Sequence, residues 1–470
     1  VTATVPQAGT TPVSLGRVHL VGVGGAGMSG IARILLARGA SVSGSDARES
    51  TALAALRALG ATIYVGHDAA HVDGAEVVVF SAAIRDSNVE MVAARERGLA
   101  ILPRVDALAQ LMVGRTGIAI AGTHGKTTTT SMLVVALQHC HLDPSFAIGA
   151  DLNEAGSGAH EGTGPHFVAE ADESGAQFLA LRPFAAVVTN VGADHLDHYG
   201  TISAVAQAFR DFVATIPEDG FLVACADDPG ARSLAEHARA QGMDVRTYGR
   251  AADADLRLDQ LAFRPGGTTY SAVLHGNPVG TVELAVVGLH NALDSAGALL
   301  AGIGLGLPFR DLADGVSRFA GARRRFELKG SAAGVRVYDE YAHNPAKVAA
   351  ALTAAKVVAG RGRLVVVFQP HLYSRTAAFA AEFGQSLGIA NEVVVLEVYG
   401  AREDPVPGVS GVLISDAVPL SPEHVRFEPS MQAATELVAD LAQDGDLVMT
   451  VGAGDVTLLG PEILARLRER

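Results

Sequence analysis

The hydrophobic positions of the chain fall in short unbroken runs, each followed by a longer segment whose apolar residues recur at helical spacing. Unbroken apolar runs suit strands buried on both faces, and the helical segments between them suit the crossovers that parallel strands need. The pattern predicts strands at 17–23, 40–43, 62–65, 76–80 and 99–102, with helices running through 37, over 51–59 and over 87–97. That is a small doubly wound sheet. A second set of strands is predicted at 117–121, 167–169, 185–189 and 221–225, with a helix through 138 and another over 204–215. Residues 245–284 carry the turn signals Pro265-Gly266-Gly267 and His275-Gly276-Asn277-Pro278 and read as hairpins. Helices over 292–303 and 311–319 lead to a third set, with strands at 335–338, 364–368, 392–396 and 447–451 and helices over 346–358 and 377–387. The expected fold class is α/β in three domains: a Rossmann-like sheet over 17–114, a central P-loop-type α/β domain over 115–325 and a second Rossmann-like domain over 326–470. The polar residues 1–16 read as a disordered tail.

The chemistry concentrates where strands end. Gly122, Thr123, His124, Gly125, Lys126, Thr127 and Thr128 follow the strand at 117–121 and open a helix. A glycine-bearing turn lets backbone N–H groups approach phosphates, and the helix N-terminus adds partial positive charge. Lys126 can reach a terminal phosphate and the Thr127 hydroxyl can hold Mg²⁺. Ile120 stands where a strict Walker A has its first glycine. The next two strands end in Glu170-Ala-Asp172-Glu173-Ser174 and in Gly192-Ala-Asp194-His195. In a parallel sheet such ends are neighbours. Thr127 and Glu170 are therefore candidate metal ligands, and His195 could hold a second cation or orient a water. Asp172 and Ser174 could equally be helix caps.

The first domain carries Gly22, Gly24 and Gly27 in a G-x-G-x-x-G turn, with Asp46 after the next strand. Read literally this is an NAD fingerprint with its ribose-binding acid; read more broadly it binds a diphosphate and leaves the nucleoside open. Gly66-His67 and Ser81 follow strands on the same face. Downstream, His290 and Asn291 could face a purine or cap a helix, and one of Arg323, Arg324 and Arg325 could serve a transferring phosphoryl group. Asp339 could accept ribose hydroxyls, and Arg375, with His371 four residues earlier, could pair with a carboxylate.

Composition narrows the classes. The chain has 470 residues, 49% hydrophobic, and 36 Lys+Arg against 50 Asp+Glu, a net charge of −14. That balance disfavours a nucleic-acid partner. The most apolar stretch, 296–309, is too short and glycine-rich to span a bilayer. Cys140 and Cys225 give no disulfide framework and suit a reducing cytoplasm.

In order along the chain, HLVGVGGAGMSGIA, GTHGKTTTTS, AEADES, VVTNVGADHLDHYG, GLHNAL, RRRFE, DEYAHNP, VFQPHLYSRT, VYGARE and GAGDVT resemble the Mur ligases of peptidoglycan synthesis. The first and eighth stretches are most similar to the alanine-adding members. The resemblance covers His19 to Thr457. It implies ATP and Mg²⁺ (or Mn²⁺) as cofactors, and L-alanine and UDP-N-acetylmuramate as substrates joined through an acyl phosphate. It also implies a monomer or weak homodimer without membrane insertion. By the same resemblance Gly24, Gly25, Ala26, Gly27, Met28, Ser29, Asp46, His67 and Ser81 would bind the UDP part. Lys126 and Thr127 would take ATP phosphates and metal, and Glu170 and His195 would be metal ligands. Asn291, Arg325 and Asp339 would contact ATP, and Tyr341, His343, His371 and Arg375 would hold L-alanine and the muramoyl end. The family usually has Asn at Asp294, His at Asn344, Asp at Gly175, Glu at Gly192 and Glu at Lys347; an Asn at 294 could offer adenine an N–H donor that a carboxylate cannot. Two other readings remain open at this stage: an NAD-dependent dehydrogenase, and a paralogue that is non-catalytic or attaches a peptide.

Overall fold

The computed structural model describes residues 15–149, 158–194, 196–264, 266–321, 323–401 and 403–470. The expected tail therefore falls almost wholly outside the described residues, and His195 falls outside them too. The chain forms two compact units. The first comprises residues to Gln260 with Ser271–Val282 and Leu293–Phe319; the second comprises Leu261–Tyr270, Glu283–Ala292 and Ala320–Arg470.

The first unit opens with five strands, β1 (Arg17–Val21), β2 (Ser41–Asp46), β3 (Thr62–Val65), β4 (Val77–Phe80) and β5 (Ala100–Pro103). They lie in the order β3-β2-β1-β4-β5, all parallel. The order reverses between β1 and β4, and open α/β sheets bind ligands outside the strand ends at such a switch point. The turn after β1 sits there: a Cβ on Gly22, whose φ is +79°, would stand 3.2 Å from Ser81 Cβ after β4. Around this sheet the helix Arg104–Met112, which starts directly after Pro103, was not anticipated, nor farther on were Pro229–Ala240, Met431–Leu441 and Leu459–Arg468.

A ten-stranded sheet follows. Its strands are β6 (Thr116–Ala121), β7 (Ser145–Ala147), β8 (Ala159–His160), β9 (His166–Glu170), β10 (Ala185–Val188), β11 (Phe221–Cys225), β12 (Asp244–Gly249), β13 (Leu256–Arg264), β14 (Gly267–Leu274) and β15 (Asn277–Leu284). The core runs β12-β11-β10-β6-β9-β7, all parallel, so the carboxyl ends of β6, β9 and β10 adjoin. Strand β12 pairs in parallel with β11, so the expected hairpin region starts later than residue 245. The helix Lys126–His139 is buried on every side from Thr127 to Leu137. Two of its buried hydroxyls bond back to the helix, Thr130 Oγ1 to the Lys126 carbonyl and Ser131 Oγ to the Thr127 carbonyl, each at 2.7 Å, whereas Thr129 Oγ1 is buried without a partner among the described residues.

The second unit is built on β16 (Glu327–Ala332), β17 (Val335–Glu340), β18 (Leu364–Phe368), β19 (Glu392–Val395), β20 (Val425–Phe427) and β21 (Leu447–Val451), ordered β16-β17-β21-β18-β19-β20. All neighbours are parallel except β16 and β17. The residues of β18 are buried throughout, and helices cover both faces. Among the described residues no helix is long and apolar enough to cross a membrane.

Candidate active site

The candidate phosphate loop is shaped by the residues that follow β10. Gly122 adopts φ +135°, and a Cβ there would collide with Thr189 Oγ1 and come within 3.1 Å of Asn190 N. The Asn190 side chain reads the loop backbone twice: Oδ1 accepts from His124 N at 2.8 Å, and Nδ2 donates to the His124 carbonyl at 3.1 Å. Thr123 Oγ1 accepts from Gly192 N at 2.9 Å. Gly125, with φ +81°, caps the helix and leaves no room for a Cβ because Asp294 lies against it. The departure at 294 thus places a carboxylate at the loop itself.

Lys126 turns back across the loop. Its Nζ donates to the Gly122 carbonyl at 2.6 Å and pairs with Glu173 Oε2 at 2.7 Å. Burial alone would lower its pKa, but Glu173 and Glu170 outweigh that and hold it above the usual lysine range. Glu173, 2% exposed, is a partner that the sequence reading did not assign. The Thr127 hydroxyl lies 3.1 Å from both oxygens of Glu170, and Glu170 Oε2 also accepts from Gly149 N at 2.9 Å. Thr128 is buried behind them.

The pairing of Thr127 and Glu170 fits a small hard cation. Bonds of about 2.1 Å at right angles separate two oxygen ligands by about 3 Å, and these oxygens are 3.1 Å apart. Among the described residues no group of three or more His, Cys, Asp or Glu could hold a metal. Mg²⁺ is usually bound by one or two carboxylates together with phosphate and water.

Arg104 joins this region to the first sheet. Its Nη2 donates to Asp172 Oδ2 at 3.1 Å, while a Cβ on Gly27 would stand 2.8 Å from its Nη1. Asp172 is not merely a cap: Ser174 and Arg104, with Lys126, hold its carboxyl below the usual range despite burial.

Around the glycine turn, Gly24, Gly25 and Ala26 lead into the helix Ala26–Ala37, and Ser29 Oγ donates back to the Ala26 carbonyl at 3.0 Å. Two expectations change. Met28 is 1% exposed and its side chain packs in the core, so only its backbone could meet a ligand. Asp46 Oδ2 accepts from Gly24 N at 2.9 Å, so this carboxylate shapes the turn instead of standing wholly for a ribose. Ser81 Oγ accepts from Ala83 N at 3.4 Å. His67 Nδ1 lies 2.9 Å from Glu90 Oε2.

In the second unit, Tyr341, His343, His371 and Arg375 do come together. The Tyr341 and His343 rings are 5.3 Å apart, His343 and His371 6.0 Å, and Arg375 Nη1 is 3.4 Å from His371 Nδ1. Tyr399, not assigned from sequence, stacks on His371 at 5.9 Å. Burial pushes the His343 imidazole well below the usual range, helped by Lys347 and Arg375. Of the neighbouring arginines, Arg324 is spent on structure: its Nη2 donates to the Gly452 and Gly454 carbonyls at 2.7 and 3.0 Å. Arg325 lies over Tyr341 with its guanidinium carbon 5.1 Å from the ring centre.

Asp339 and Asn291 are both bonded within the protein. Asp339 is fully buried, with Thr450 Oγ1 on Oδ1 at 2.7 Å and Thr457 Oγ1 on Oδ2 at 2.6 Å. Both oxygens are engaged and closed to solvent, so in this structure the carboxylate braces β17. Asn291 Nδ2 donates to the Val287 carbonyl at 2.9 Å, one turn back, and is 6% exposed.

Comparison with known proteins agrees along the whole chain. Three family models match in succession: Mur ligase family, catalytic domain, over residues 17–116; Mur ligase middle domain, over 120–302; and Mur ligase, glutamate ligase domain, over 324–454. The UDP-N-acetylmuramate–L-alanine ligase of Saccharopolyspora erythraea is 57% identical over 468 residues, covering 98% of this chain and 95% of the relative. The ligase of the same name from Acidothermus cellulolyticus is 56% identical, covering 97% and 96%. Among solved structures, the UDP-N-acetylmuramate-alanine ligase of Thermotoga maritima superposes with a TM-score of 0.83 at 27% identity, covering 96% of this chain and 99% of that one. The chain belongs to the Mur ligase family.

Proposed function

We propose that this protein is an ATP-dependent ligase that joins L-alanine to the lactyl carboxylate of UDP-N-acetylmuramate, with release of ADP and phosphate. The observation that carries this reading is the convergence of Lys126, Thr127 and Glu170 at the ends of β6 and β9, in a chain 57% identical to an enzyme of that name.

A carboxylate acylates an amine poorly because its leaving group would be an oxide. Phosphorylating one carboxylate oxygen gives an acyl phosphate; the alanine nitrogen then attacks the carbonyl carbon, and the C–O bond to phosphate breaks. The phosphate carries away the bridging oxygen and its electron pair. The first step brings two anions together, so positive charge must be fixed in place beforehand. Lys126 supplies an ammonium for the terminal phosphate once Glu173 is displaced. The loop N–H groups and the helix Lys126–His139 supply the rest of the cradle. Thr127 and Glu170 would hold Mg²⁺, which when bound neutralises phosphate charge. The glycine turn after β1 would take the UDP diphosphate, with the uridine reaching over Asp46 toward His67. In the second unit Arg375 would pair with the alanine carboxylate and Arg325 would meet transferring phosphoryl charge.

Amino-acid-dependent phosphate release tests this assignment. L-Alanine should support turnover far better than L-serine, glycine or a tripeptide, and Arg375→Ala should raise the KM for L-alanine by about 100-fold, the loss of a charge-assisted pair. Preference for the tripeptide would assign the chain to peptide attachment instead.

A further inference from the structure

The first unit contains a buried carboxylate that the reaction chemistry does not use. Glu90 lies in the helix Val89–Glu96 with its side chain closed to solvent. Four polar side chains from two strands, a loop and a short 3-10 helix surround it. Ser45 Oγ, at the end of β2, donates to Oε2 at 2.6 Å. His67 Nδ1, just after β3, lies 2.9 Å from the same oxygen. His71 Nδ1 lies 2.7 Å from Oε1, and His19 Nε2, inside β1, is 3.7 Å from Oε1. Tyr64 stacks flat on His71 at 3.9 Å. Burial alone would raise the Glu90 pKa, but the neighbouring His19, Ser45, His71 and His67 bring it down to about 2, so the group is an anion at neutral pH.

An ionised carboxylate only accepts hydrogen bonds. A ring nitrogen 2.9 Å away must therefore carry its hydrogen, and a neutral imidazole with hydrogen on Nδ1 keeps a lone pair on Nε2. His67 is held by its Nδ1 edge, while its side chain remains 22% exposed. The strand order gives that outward edge a place. If the diphosphate sits at the β1–β4 switch point with the sugar over the end of β2, the base would extend toward β3, where His67 stands.

We propose that Glu90 is a positioning residue for nucleotide recognition: it fixes His67 in the Nδ1–H form, so that Nε2 accepts a hydrogen bond from a donor on the nucleoside, the ribose 2′-hydroxyl or the uracil imide N–H. This rests on the placement of UDP over the first sheet. It adds a specificity element supplied by a residue that never touches the substrate.

Nitrogen-15 NMR of the imidazoles and steady-state kinetics test it together. In the wild-type protein His67 should show a hydrogen-bearing Nδ1 and a bare Nε2; hydrogen on Nε2 would overturn the proposal without any variant having to fold. Glu90→Gln keeps the volume but can turn an N–H donor toward Nδ1. It should raise the KM for UDP-N-acetylmuramate about 10-fold or more while kcat and the KM for ATP stay within about twofold, since one misdirected hydrogen bond to substrate is worth about that much. In a His67→Ala background the same change should have no further effect on that KM; an undiminished effect there, or parallel loss of kcat and ATP affinity, would mean a merely structural role. Competition by UDP, 2′-deoxy-UDP and CDP assigns the donor. A weaker 2′-deoxy-UDP indicates the ribose, a weaker CDP the imide, and equal binding of all three contradicts the acceptor role. His67→Ala alone separates the two levels. An unchanged KM contradicts the placement of the uridine, whereas a raised KM alongside an unaffected Glu90→Gln contradicts only the positioning role.

Discussion

Replacing Lys126 by Met should lower kcat on the order of 10³-fold and leave UDP-N-acetylmuramate binding intact, because the lost ammonium acts on charge that builds during transfer, as an oxyanion-hole donor does. The structure complicates the simple experiment. Lys126 is the ion-pair partner of Glu173. Removing one member of a buried pair costs about 3–5 kcal/mol through the charge left behind. The variant should therefore be made both alone and with Glu173→Gln, which removes the orphaned charge. The double variant should regain thermal stability but not activity. Recovery of turnover in the double variant would show that Lys126 matters only as a counter-ion to Glu173.

Glu170→Gln should give the second large effect, a loss of about 10²-fold or more in kcat at ordinary Mg²⁺ concentration, partly recovered as Mg²⁺ rises. A neutral amide keeps one oxygen for the cation but contributes no charge, and affinity for a hard divalent ion follows ligand charge. The half-saturating Mg²⁺ concentration should rise at least about 10-fold, and the ATP KM measured at saturating Mg²⁺ should change much less. If Mg²⁺ dependence were unaltered, Glu170 would be only an acceptor for Thr127 Oγ1 and Gly149 N.

The sequence carried the strand-and-helix alternation well because the central strands are buried on both faces, leaving the apolar runs unbroken. It carried the glycine turn after β6 because glycine is required there by space: at Gly122 and Gly125 any side chain meets Thr189 or Asp294. What it did not carry is who completes each site from afar. Glu90 looks like an ordinary polar position on an amphipathic helix until residues 45, 67 and 71 fold over it. Asp339 reads as an available carboxylate at a strand end, yet Thr450 and Thr457, more than 100 positions later, occupy both its oxygens. Strand β16, with the sequence ELKGSA, has no alternation and becomes a strand only by pairing with β17. These are tertiary effects, invisible to local periodicity.

The account depends on the substrate carboxylate itself being the phosphoryl acceptor beside Lys126, Thr127 and Glu170. The direct test is oxygen transfer. UDP-N-acetylmuramate labelled with ¹⁸O in its lactyl carboxylate should pass one labelled oxygen to inorganic phosphate in each turnover with L-alanine. Phosphate free of the label, formed at the same rate as the amide, would contradict the mechanism.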